Sequence, residues 1–552
     1  MKKNYFLKVL LIALIGLGTN LYGQTATWNG SSSSSWTKAS NWDGGVTPSF
    51  LTSIEVIIPS GLSTYPVISS TVFFNGDLEV QSGATISMNN NGSLQQLDGN
   101  FTLAGTIILE SESELFISAD ATVSSANGTI IYKRTLTDQW HLIAPPVTEQ
   151  DIDAFVSGEG LAEGTGNNLG LATYTTQDNE WSFYQDGASG TGKFVSGKGY
   201  SIKLASAGDI EFTGEYVSDD TTISLTRGTT DGRSYNLVGN PYLAHVNSGN
   251  FLSNSTSALV SETIWLWDPN NSGGAQYITK VTADDYKVSP GQGFFVQAAN
   301  AGSLSIVKTD QEILALDNFE RPDTRPEIHL TLSDGSLSRL SKIYYIEGTT
   351  TGFDNGFDGP RFMSGDNSFA FFTHLVSDSE GVDYDIQSLP TDNYENMVIP
   401  VGINAVSGTT ISIDASTVDF PEGMNIYLED KEDDSFTLLD GDANFTTTLA
   451  SDLNGIGRFY LHTTAGSLSA DDLSMTNNIS IYNSSKENLR IVGVQNGTAK
   501  VQLYNILGKE VFSNTFEGAG VNDIQLSSLA EGLYIVNLST ANGKTNKKII
   551  IQ

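Results

Sequence analysis

The chain has 552 residues, of which 63 are acidic and 28 are basic, so its formal net charge is −35. This excess of acid excludes a broad basic face for nucleic acid or for an anionic membrane surface. Hydrophobic residues make up 39% and cysteine is absent, so the chain can bury large cores but has no disulfides and no thiolate metal sites.

The N-terminus has the pattern of a secretory signal peptide. Three lysines precede an apolar run over 9–17, and small residues then lead to Gly23. We expect a signal peptide over 1–23, cut between Gly23 and Gln24. No later apolar run approaches the roughly 20 residues that cross a bilayer, so the mature chain is predicted to be exported without a transmembrane segment.

Residues 24–129 combine a Trp-rich start with short alternating strands. Trp28, Trp36 and Trp42 lie in the first part, and from Ile54 onward the strands are separated by Asn-Gly, Ser-Gly or Asp-Gly turns. The close spacing predicts a small parallel β-solenoid, with an ordinary β-sandwich as the alternative. The opening resembles the Trp-rich lead-in found before β-helical segments of bacterial surface proteins.

The middle of the chain contains an internal repeat, over 130–219 and 220–312. Four segments match at offsets of 93 to 96 residues: Trp140 with Tyr235, Phe155 with Phe251, Tyr174 with Trp267, and Gly197 with Gly291. Each copy predicts a β-rich module that ends with a Gly-x-Gly entry into a strand. We expect these glycines to provide positive φ or a close backbone approach.

A further all-β region is predicted over 327–465. Apolar and polar residues alternate clearly at 411–414 and 426–429, which favours a β-sandwich of immunoglobulin-like size. The predicted fold class is therefore all-β and multidomain. It begins with a small solenoid, continues with two tandem modules and a sandwich, and ends with a C-terminal β-sandwich domain.

The C-terminal part, 475–552, carries four motifs in order: strand 478–482, strand-turn-strand 501–511, a Leu-x-x-Gly-x-Tyr segment over 529–536, and a basic-then-apolar strand over 547–552. In this pattern it resembles the C-terminal sorting domain of the type IX secretion system. The matching positions are Asn505, Gly508, Lys509, Gly532, Tyr534, Lys547 and Lys548. Asn505 and Lys509 stand where the family has Asp and most often Arg.

The resemblance implies a route out of the cell. An outer-membrane translocon would recognise the domain, a sortase-like peptidase would remove it, and the product would be released or attached to surface lipopolysaccharide. We therefore expect the protein at the extracellular or outer-membrane surface. An acidic, polar stretch over 463–472 precedes the domain, so few core contacts are expected to cross that boundary.

Residues that carry chemistry in enzymes form no recognisable pattern. The five histidines are scattered, no nucleophile elbow or dinucleotide motif occurs, and the carboxylates are too numerous for any pair to stand out. No cofactor is predicted. The acidic run at 354–358, and the run at 430–434 together with Asp440 and Asp442, would offer oxygen ligands to calcium, but neither has EF-hand spacing, and solvated loops are the alternative.

Two functions remain open. The first is a non-catalytic surface or secreted protein, adhesin-like or matrix-like, exported by its sorting domain. The second is a protein that binds or degrades polysaccharide. Trp181, Trp265 and Trp267 would stack on sugar rings if exposed, and the alternative is that they pack in the core. An exposed aromatic platform or a convergent carboxylate pair would favour the second function.

Overall fold

The computed structural model describes residues 24–51, 53–125, 127–230, 233–313, 325–364, 367–391, 394, 397–439, 444–464, 479–485, 488–526, 529–530, 532–541 and 543–551. Strand accounts for about 53% and helix for about 6%, which confirms the all-β, multidomain class. Short 3-10 helices lie at Ala39–Asn41, Asp43–Gly45, Thr165–Asn167, Thr282–Asp284 and Lys308–Asp310.

The N-terminal region is a three-sided parallel β-solenoid. Its strands are β1 (Gln24–Thr27), β2 (Ile54–Ile58), β3 (Val67–Ile68), β4 (Thr71–Phe74), β5 (Leu78–Val80), β6 (Thr85–Met88), β7 (Ser93–Gln96), β8 (Phe101–Leu103), β9 (Thr106–Leu109), β10 (Glu114–Ile117), β11 (Val123–Ser124) and β12 (Thr129–Leu136). They stack as β1-β2-β5-β8-β11, β4-β7-β10 and β3-β6-β9-β12. Leu78 lies beside Phe101, and Leu94 beside Leu115, so one rung takes 21 to 23 residues. These parallel ladders confirm the solenoid and exclude the sandwich alternative.

The Trp-rich lead-in covers the first rung of the solenoid. Trp28 and Trp36 both pack edge-on against Trp42, with ring centroids 5.1 and 4.8 Å away. The indole Nε1 of Trp42 donates to the carbonyl oxygen of Trp36 at 2.7 Å. A terminal rung without such a cover would expose both its core and its unpaired strand edges. The three buried indoles therefore act as a cap.

Two β-rich modules follow the solenoid. The first contains β13 (Trp140–Ile143), α1 (Ile152–Gly158), β14 (Asn168–Thr175), β15 (Glu180–Gln185), β16 (Tyr200–Lys203) and β17 (Gly208–Gly214). The second contains β18 (Thr221–Leu225), β19 (Tyr235–Gly239), β20 (His245–Asn247), α2 (Ser248–Ser253), β21 (Thr263–Asp268), β22 (Gln276–Val281), β23 (Lys287–Val288), β24 (Gly293–Gln297), β25 (Gly302–Ile306) and β26 (Gln311–Glu312).

The two modules share one strand order. Their main sheets run β13-β16-β14-β15 and β19-β24-β21-β22, and β17 pairs with β12 as β25 pairs with β18. Each of these strands thus has a counterpart one repeat later. One hydrophobic core continues from Ala26 in the solenoid to Leu243 in the second module. Because the core does not separate these regions, the domain boundaries stay predictions.

Reciprocal backbone contacts join the modules. The N–H of Ala144 donates to the carbonyl oxygen of Gly291 at 3.0 Å. One repeat later, the N–H of Gly239 donates to the carbonyl oxygen of Gly197 at 2.9 Å. The two hydrogen bonds join equivalent positions but run in opposite directions between the modules. An approximate two-fold axis therefore relates the modules at this junction.

The glycines of the two Gly-x-Gly segments allow this junction to form. Gly197 and Gly291 have φ of +75° and +73°, a region that residues with a Cβ rarely adopt. Gly199 and Gly293 face the other module so closely that a Cβ would lie 2.6 and 2.8 Å from its atoms. Both expected roles, positive φ and close approach, are therefore confirmed, one at each glycine of a pair.

The third region is an 11-stranded sheet. Its strands are β27 (Glu327–Ser333), β28 (Ser338–Tyr345), β29 (Gly359–Pro360), β30 (Ala370–Thr373), β31 (Tyr384–Leu389), β32 (Val398–Ala405), β33 (Thr410–Val418), β34 (Asn425–Asp430), β35 (Ser435–Leu438), β36 (Phe445–Thr448) and β37 (Leu453–Thr464). The order is β35-β34-β37-β32-β30-β31-β28-β27-β33-β36, with β29 on β31. Ile328 of β27 and Leu461 of β37 share one core although they lie far apart in that order. The sheet therefore folds over itself as the predicted sandwich.

The C-terminal domain has its own core. Its strands are β38 (Ser480–Ser485), β39 (Asn488–Asn505), β40 (Glu510–Gln525), β41 (Gly532–Thr540) and β42 (Gly543–Ile551). They run β38-β39-β41-β42, with β40 also on β39. The long strand β39 pairs first with β38 and then with β41, so it belongs to both halves of the domain.

The expectation of few contacts between this domain and the preceding sandwich is wrong. Ile481 and Ile491 face the domain's own core, but their neighbours Tyr482 and Val492 face the other way. These two pack in a buried cluster with Phe372 and other apolar residues of the sandwich. Successive residues of a strand point to opposite faces, so these strands bury both faces. The polar stretch over 463–472 gave no sign of this contact.

Candidate functional site

The first group of sorting-motif residues forms a tight turn between β39 and β40. The side-chain oxygen of Asn505 accepts hydrogen bonds from the N–H groups of Leu507 at 3.1 Å and Lys509 at 3.0 Å. Gly508 has φ of +76° and donates its N–H to the carbonyl oxygen of Asn505 at 2.8 Å. An amide oxygen accepts as an aspartate oxygen does, so Asn505 fits the position where the family has Asp.

The second group lies on the last hairpin, β41–β42. Gly532 begins β41, and Tyr534 is buried, with its hydroxyl donating to a carbonyl oxygen of the preceding loop at 2.7 Å. Lys547 and Lys548 lie in β42, and the Nζ of Lys547 is 3.6 Å from the carboxylate of Asp378 in the sandwich. The motif thus combines residues that shape turns and strands with basic side chains near the surface. Their role in sorting stays a prediction.

The predicted signal-peptide cleavage site lies at the edge of the described residues. Gly23 is outside them, and Gln24 begins β1 and pairs with Ile54. Cleavage between the two would leave the mature chain entering the fold at its first residue. The signal peptide itself stays a prediction. Within the described ranges, no helix is long and apolar enough to cross a membrane.

A groove lined by aromatic rings lies on the modules. Its first cavity, of about 260 Å³, is lined by Trp140, Leu142, Ala172, Trp181, Phe183 and Ser201 of the first module and by Trp267 and Tyr277 of the second. The three indoles are half-buried and Phe183 is exposed. The Nε1 of Trp267 donates to the carbonyl oxygen of Trp140 at 2.9 Å, which fixes the two modules' rings at the groove.

The cavity exists because the first module has small side chains where the second has rings. Trp265 and Phe295 are cross-strand partners in the second module. The equivalent partners in the first are Ala172 and Ser201. In the second module Phe362 of the following region covers both rings, at centroid distances of 5.8 and 5.0 Å. Of the three candidate tryptophans, Trp265 is therefore a core residue, and the other two line the groove.

Beyond Trp267 and Tyr277 the groove continues into a cavity of about 470 Å³ between the second module and the sandwich. Trp181, Trp267 and Tyr277 line both cavities. The second cavity adds four basic residues and one carboxyl: Lys280, Arg339, Lys342, Arg361 and Asp385. This group could not be recognised from the sequence, because its members come from β22, β28, β31 and a loop and form no local motif.

The charges of this cavity are only partly balanced. Lys280 and Lys342 have no carboxylate within ion-pair distance among the described side chains. Burial, together with the charge of Lys280, lowers the pKa of Lys342. The Nε of Arg361 is 3.9 Å from Asp385, and its buried Nη1 has no hydrogen-bond partner in the described part of the chain. Burial, partly offset by Arg361, raises the pKa of Asp385 to about 6.

A Ser–His–Asp set lies in the loop after β30. The Nδ1 of His374 is 3.3 Å from the Ser379 hydroxyl, and its Nε2 is 2.9 Å from the Asp383 carboxylate. Hydrolases use these three residue types together. Here His374 and Ser379 are buried, and the imidazole packs at 5.6 Å on the ring of Tyr482. Because Ser379 does not face solvent, we interpret these contacts as holding the loop in place.

The two acidic runs considered for calcium are engaged in other contacts. Asp358 accepts hydrogen bonds from the N–H groups of Asp354 and Ser388, and burial raises its pKa to about 7. Asp430 forms a bidentate pair with Arg458. Residues 440–443 lie outside the described residues. In the ranges that the structure covers, no group of three or more His, Asp or Glu side chains is placed to hold a metal ion.

Two family models match the chain. The first is described as "Domain of unknown function (DUF8693)" and matches residues 27–462. The chain belongs to this family. One family model thus spans the solenoid, both modules and nearly all of the sandwich. The second, "Secretion system C-terminal sorting domain", matches residues 475–552 and confirms the resemblance that the four motifs indicated.

The sorting domain indicates export through the type IX secretion machinery to the extracellular or outer-membrane surface. No curated protein matches the chain. Among solved structures, "Biofilm associated protein - BSP domain" is similar at 9% identity, over 75% of this chain and 90% of that one. Its TM-score is 0.17, so this likeness carries no argument about fold or function.

Proposed function

We propose that this member of the family is a non-catalytic cell-surface protein, an adhesin or matrix component. The observation that carries the proposal is the aromatic groove, because it presents half-buried rings on rigid sheets of a chain that is exported to the surface. Apolar surface held open on a rigid scaffold is a common property of binding sites.

The export route is proposed to follow that of the sorting family. The outer-membrane translocon recognises 475–552, a sortase-like peptidase removes the domain, and the body is released or attached to lipopolysaccharide. Deletion of 475–552 in the native host should leave the chain in the periplasm, as measured by cell fractionation. If the truncated chain reaches the surface at full yield, the route is wrong.

The adhesin role is tested with whole cells. A strain that produces a Trp181→Ala, Trp267→Ala double variant should attach to a surface or to neighbouring cells more weakly than the wild type. Phe50→Ala provides the control, since Phe50 is an exposed ring of the N-terminal region that lines neither cavity of the groove. Equal surface amounts, measured with an antibody, must accompany the comparison. Unchanged attachment of the groove variant would refute an adhesive role for the groove.

A second candidate, polysaccharide binding, is favoured by the same rings. Trp and Tyr side chains supply large, flat apolar faces with a polar edge, and such faces fit the apolar faces of sugar rings. Degradation is less well supported. A glycosidase needs two carboxyl groups roughly 5 to 10 Å apart, whereas Asp385 is the one carboxyl that lines the groove among the described residues.

A further inference from the structure

We propose that the groove binds an anionic polysaccharide, with its sugar rings on the aromatic half and its carboxylate or sulfate groups in the basic half. This inference rests on the polysaccharide-binding function proposed above and names the chemistry of its ligand. It follows from three features: the continuity of the groove, the unbalanced positive charge at one end, and the acidity of the rest of the chain.

The groove has the shape for a chain rather than for a single small molecule. Its two cavities, of about 260 and 470 Å³, meet at Trp181, Trp267 and Tyr277. A ligand that fills both must run past these three rings, from the sheet of the first module to the edge of the sandwich. A linear polymer satisfies this requirement by placing successive units in successive positions.

The basic end of the groove is ready for an anion. Lys280 and Lys342 contact tyrosine rings but have no carboxylate within ion-pair distance among the described residues, and Arg361 holds a buried N–H without an acceptor there. Two nearby ammonium groups repel each other, and a buried donor without a partner is costly. A bound carboxylate or sulfate would relieve both costs, because it supplies negative charge and acceptor oxygens at the same place.

The basic end of the groove contrasts with the chain as a whole, which has a net charge of −35. Acidic polymers are repelled by most of the protein's surface, so an anionic ligand that binds at all must be held at a local basic site. Arg339 adds positive charge to this site. Its guanidinium is held in place because it donates to the carbonyl oxygens of Gly273 and Phe369. The positive charge of Arg339 is therefore held in position before the ligand arrives.

The experiment uses the purified mature chain and two matched pairs of polymers. Polygalacturonate is compared with its carboxyl-reduced form, and dextran sulfate with dextran, by measurement of the dissociation constant at low and high salt. We expect each anionic polymer to bind about tenfold or more tightly than its neutral partner, with a difference that shrinks as salt screens the charges.

Two variants separate the halves of the groove. Lys280→Met combined with Lys342→Met should remove the preference for anionic polymers while keeping side-chain length, and Lys38→Met, at an exposed lysine of the N-terminal region, is the control. Trp181→Ala combined with Trp267→Ala should weaken binding of charged and neutral polymers alike. Circular dichroism of each variant shows that it is folded.

The remaining possible results contradict either the anionic ligand or polysaccharide binding itself. Equal binding of charged and neutral polymers, or an unchanged preference in the lysine variant, overturns the anionic ligand and leaves polysaccharide binding intact. Polyglutamate that binds as tightly as polygalacturonate makes the partner an acidic peptide and overturns the inference. If no polymer binds the folded chain, both the inference and the polysaccharide function fail.

Discussion

The two modules share a fold but differ in what covers the same face of their sheets. In the second module Trp265 and Phe295 fill this face, and Phe362 of the sandwich region covers them. In the first module Ala172 and Ser201 occupy the equivalent positions and leave a cavity of about 260 Å³. One copy is therefore a docking face inside the molecule, and the other is an open surface.

This difference shows which residues of the repeat carry the fold and which are free to change. The Gly-x-Gly segments and the strand order are kept in both copies, because the reciprocal backbone contacts between the modules require them. The side chains on the outer face of the sheet do not take part in those contacts. One module therefore holds the third region, and the other keeps an open face at the same place.

Removal of the Trp265 ring should have the largest effect on the covered face of the second module. The ring is fully buried and its Nε1 donates to the carbonyl oxygen of Pro360 at 3.0 Å. Trp265→Ala should lower the free energy of unfolding by about 3–5 kcal/mol, since it leaves a large cavity. Trp267→Ala should cost only about 1 kcal/mol, because the ring is already half exposed and one hydrogen bond is lost.

Hydrogen exchange of the β21 and β24 amides measures this contrast without requiring the whole chain to unfold in one step. Protection should fall strongly in Trp265→Ala and slightly in Trp267→Ala. Similar losses in both variants would mean that the two rings are equally buried, and Trp267 would then belong to the covered face rather than to the groove.

Matched glycine substitutions in the two modules test whether a two-fold axis relates them. Gly199→Ala and Gly293→Ala should each lower the free energy of unfolding by about 1–3 kcal/mol, because a Cβ would overlap the other module. Gly208 and Gly302 occupy a second pair of equivalent positions, with nothing closer than 4.0 Å to a Cβ. Alanine at either should change stability by less than about 0.5 kcal/mol. Unequal costs at Gly199 and Gly293 would contradict the two-fold relation.

Much of the fold could be predicted because it depends on local patterns. Turn glycines and alternating strands identified the solenoid, and a constant offset identified the repeat. The contact of Tyr482 and Val492 with Phe372 could not be predicted in the same way. Alternation shows that a strand has two faces, but an apolar residue on the second face does not reveal which distant surface will cover it.

The sorting motifs were predictable for a similar reason. Asn505 and Gly508 form one turn, so their spacing along the chain is the signal. The groove is different, because Lys280, Lys342 and Arg361 are brought together by the packing of the second module on the sandwich. Residue type alone left the tryptophans as candidates either for sugar stacking or for core packing, and only the covering residues separate Trp267 from Trp265.

The smallest expected effect concerns pH at the basic end of the groove. The pKa of Asp385 is raised to about 6, so its carboxylate is charged above that pH and neutral below it. The groups facing it are the guanidinium of Arg361, the Thr279 hydroxyl, which donates at 2.5 Å, and the carboxylate of Asp383. Acidification through pH 6 therefore removes a negative charge from a positive cavity. The affinity for dextran sulfate, which stays ionised, should rise a few-fold as the pH falls through about 6.

Asp385→Asn should bind dextran sulfate with a flat profile over the same range, at the affinity that the wild type reaches in acid. The linked stability follows the same sign. Because the folded pKa lies above the ordinary 3.8, this carboxyl's contribution to stability is complete below about 3.8 and is lost as the pH rises through about 6. A wild-type profile as flat as that of the variant would mean that Asp385 does not face the bound anion. The binding part of the groove would then end at Trp267 and Tyr277, before the basic cavity.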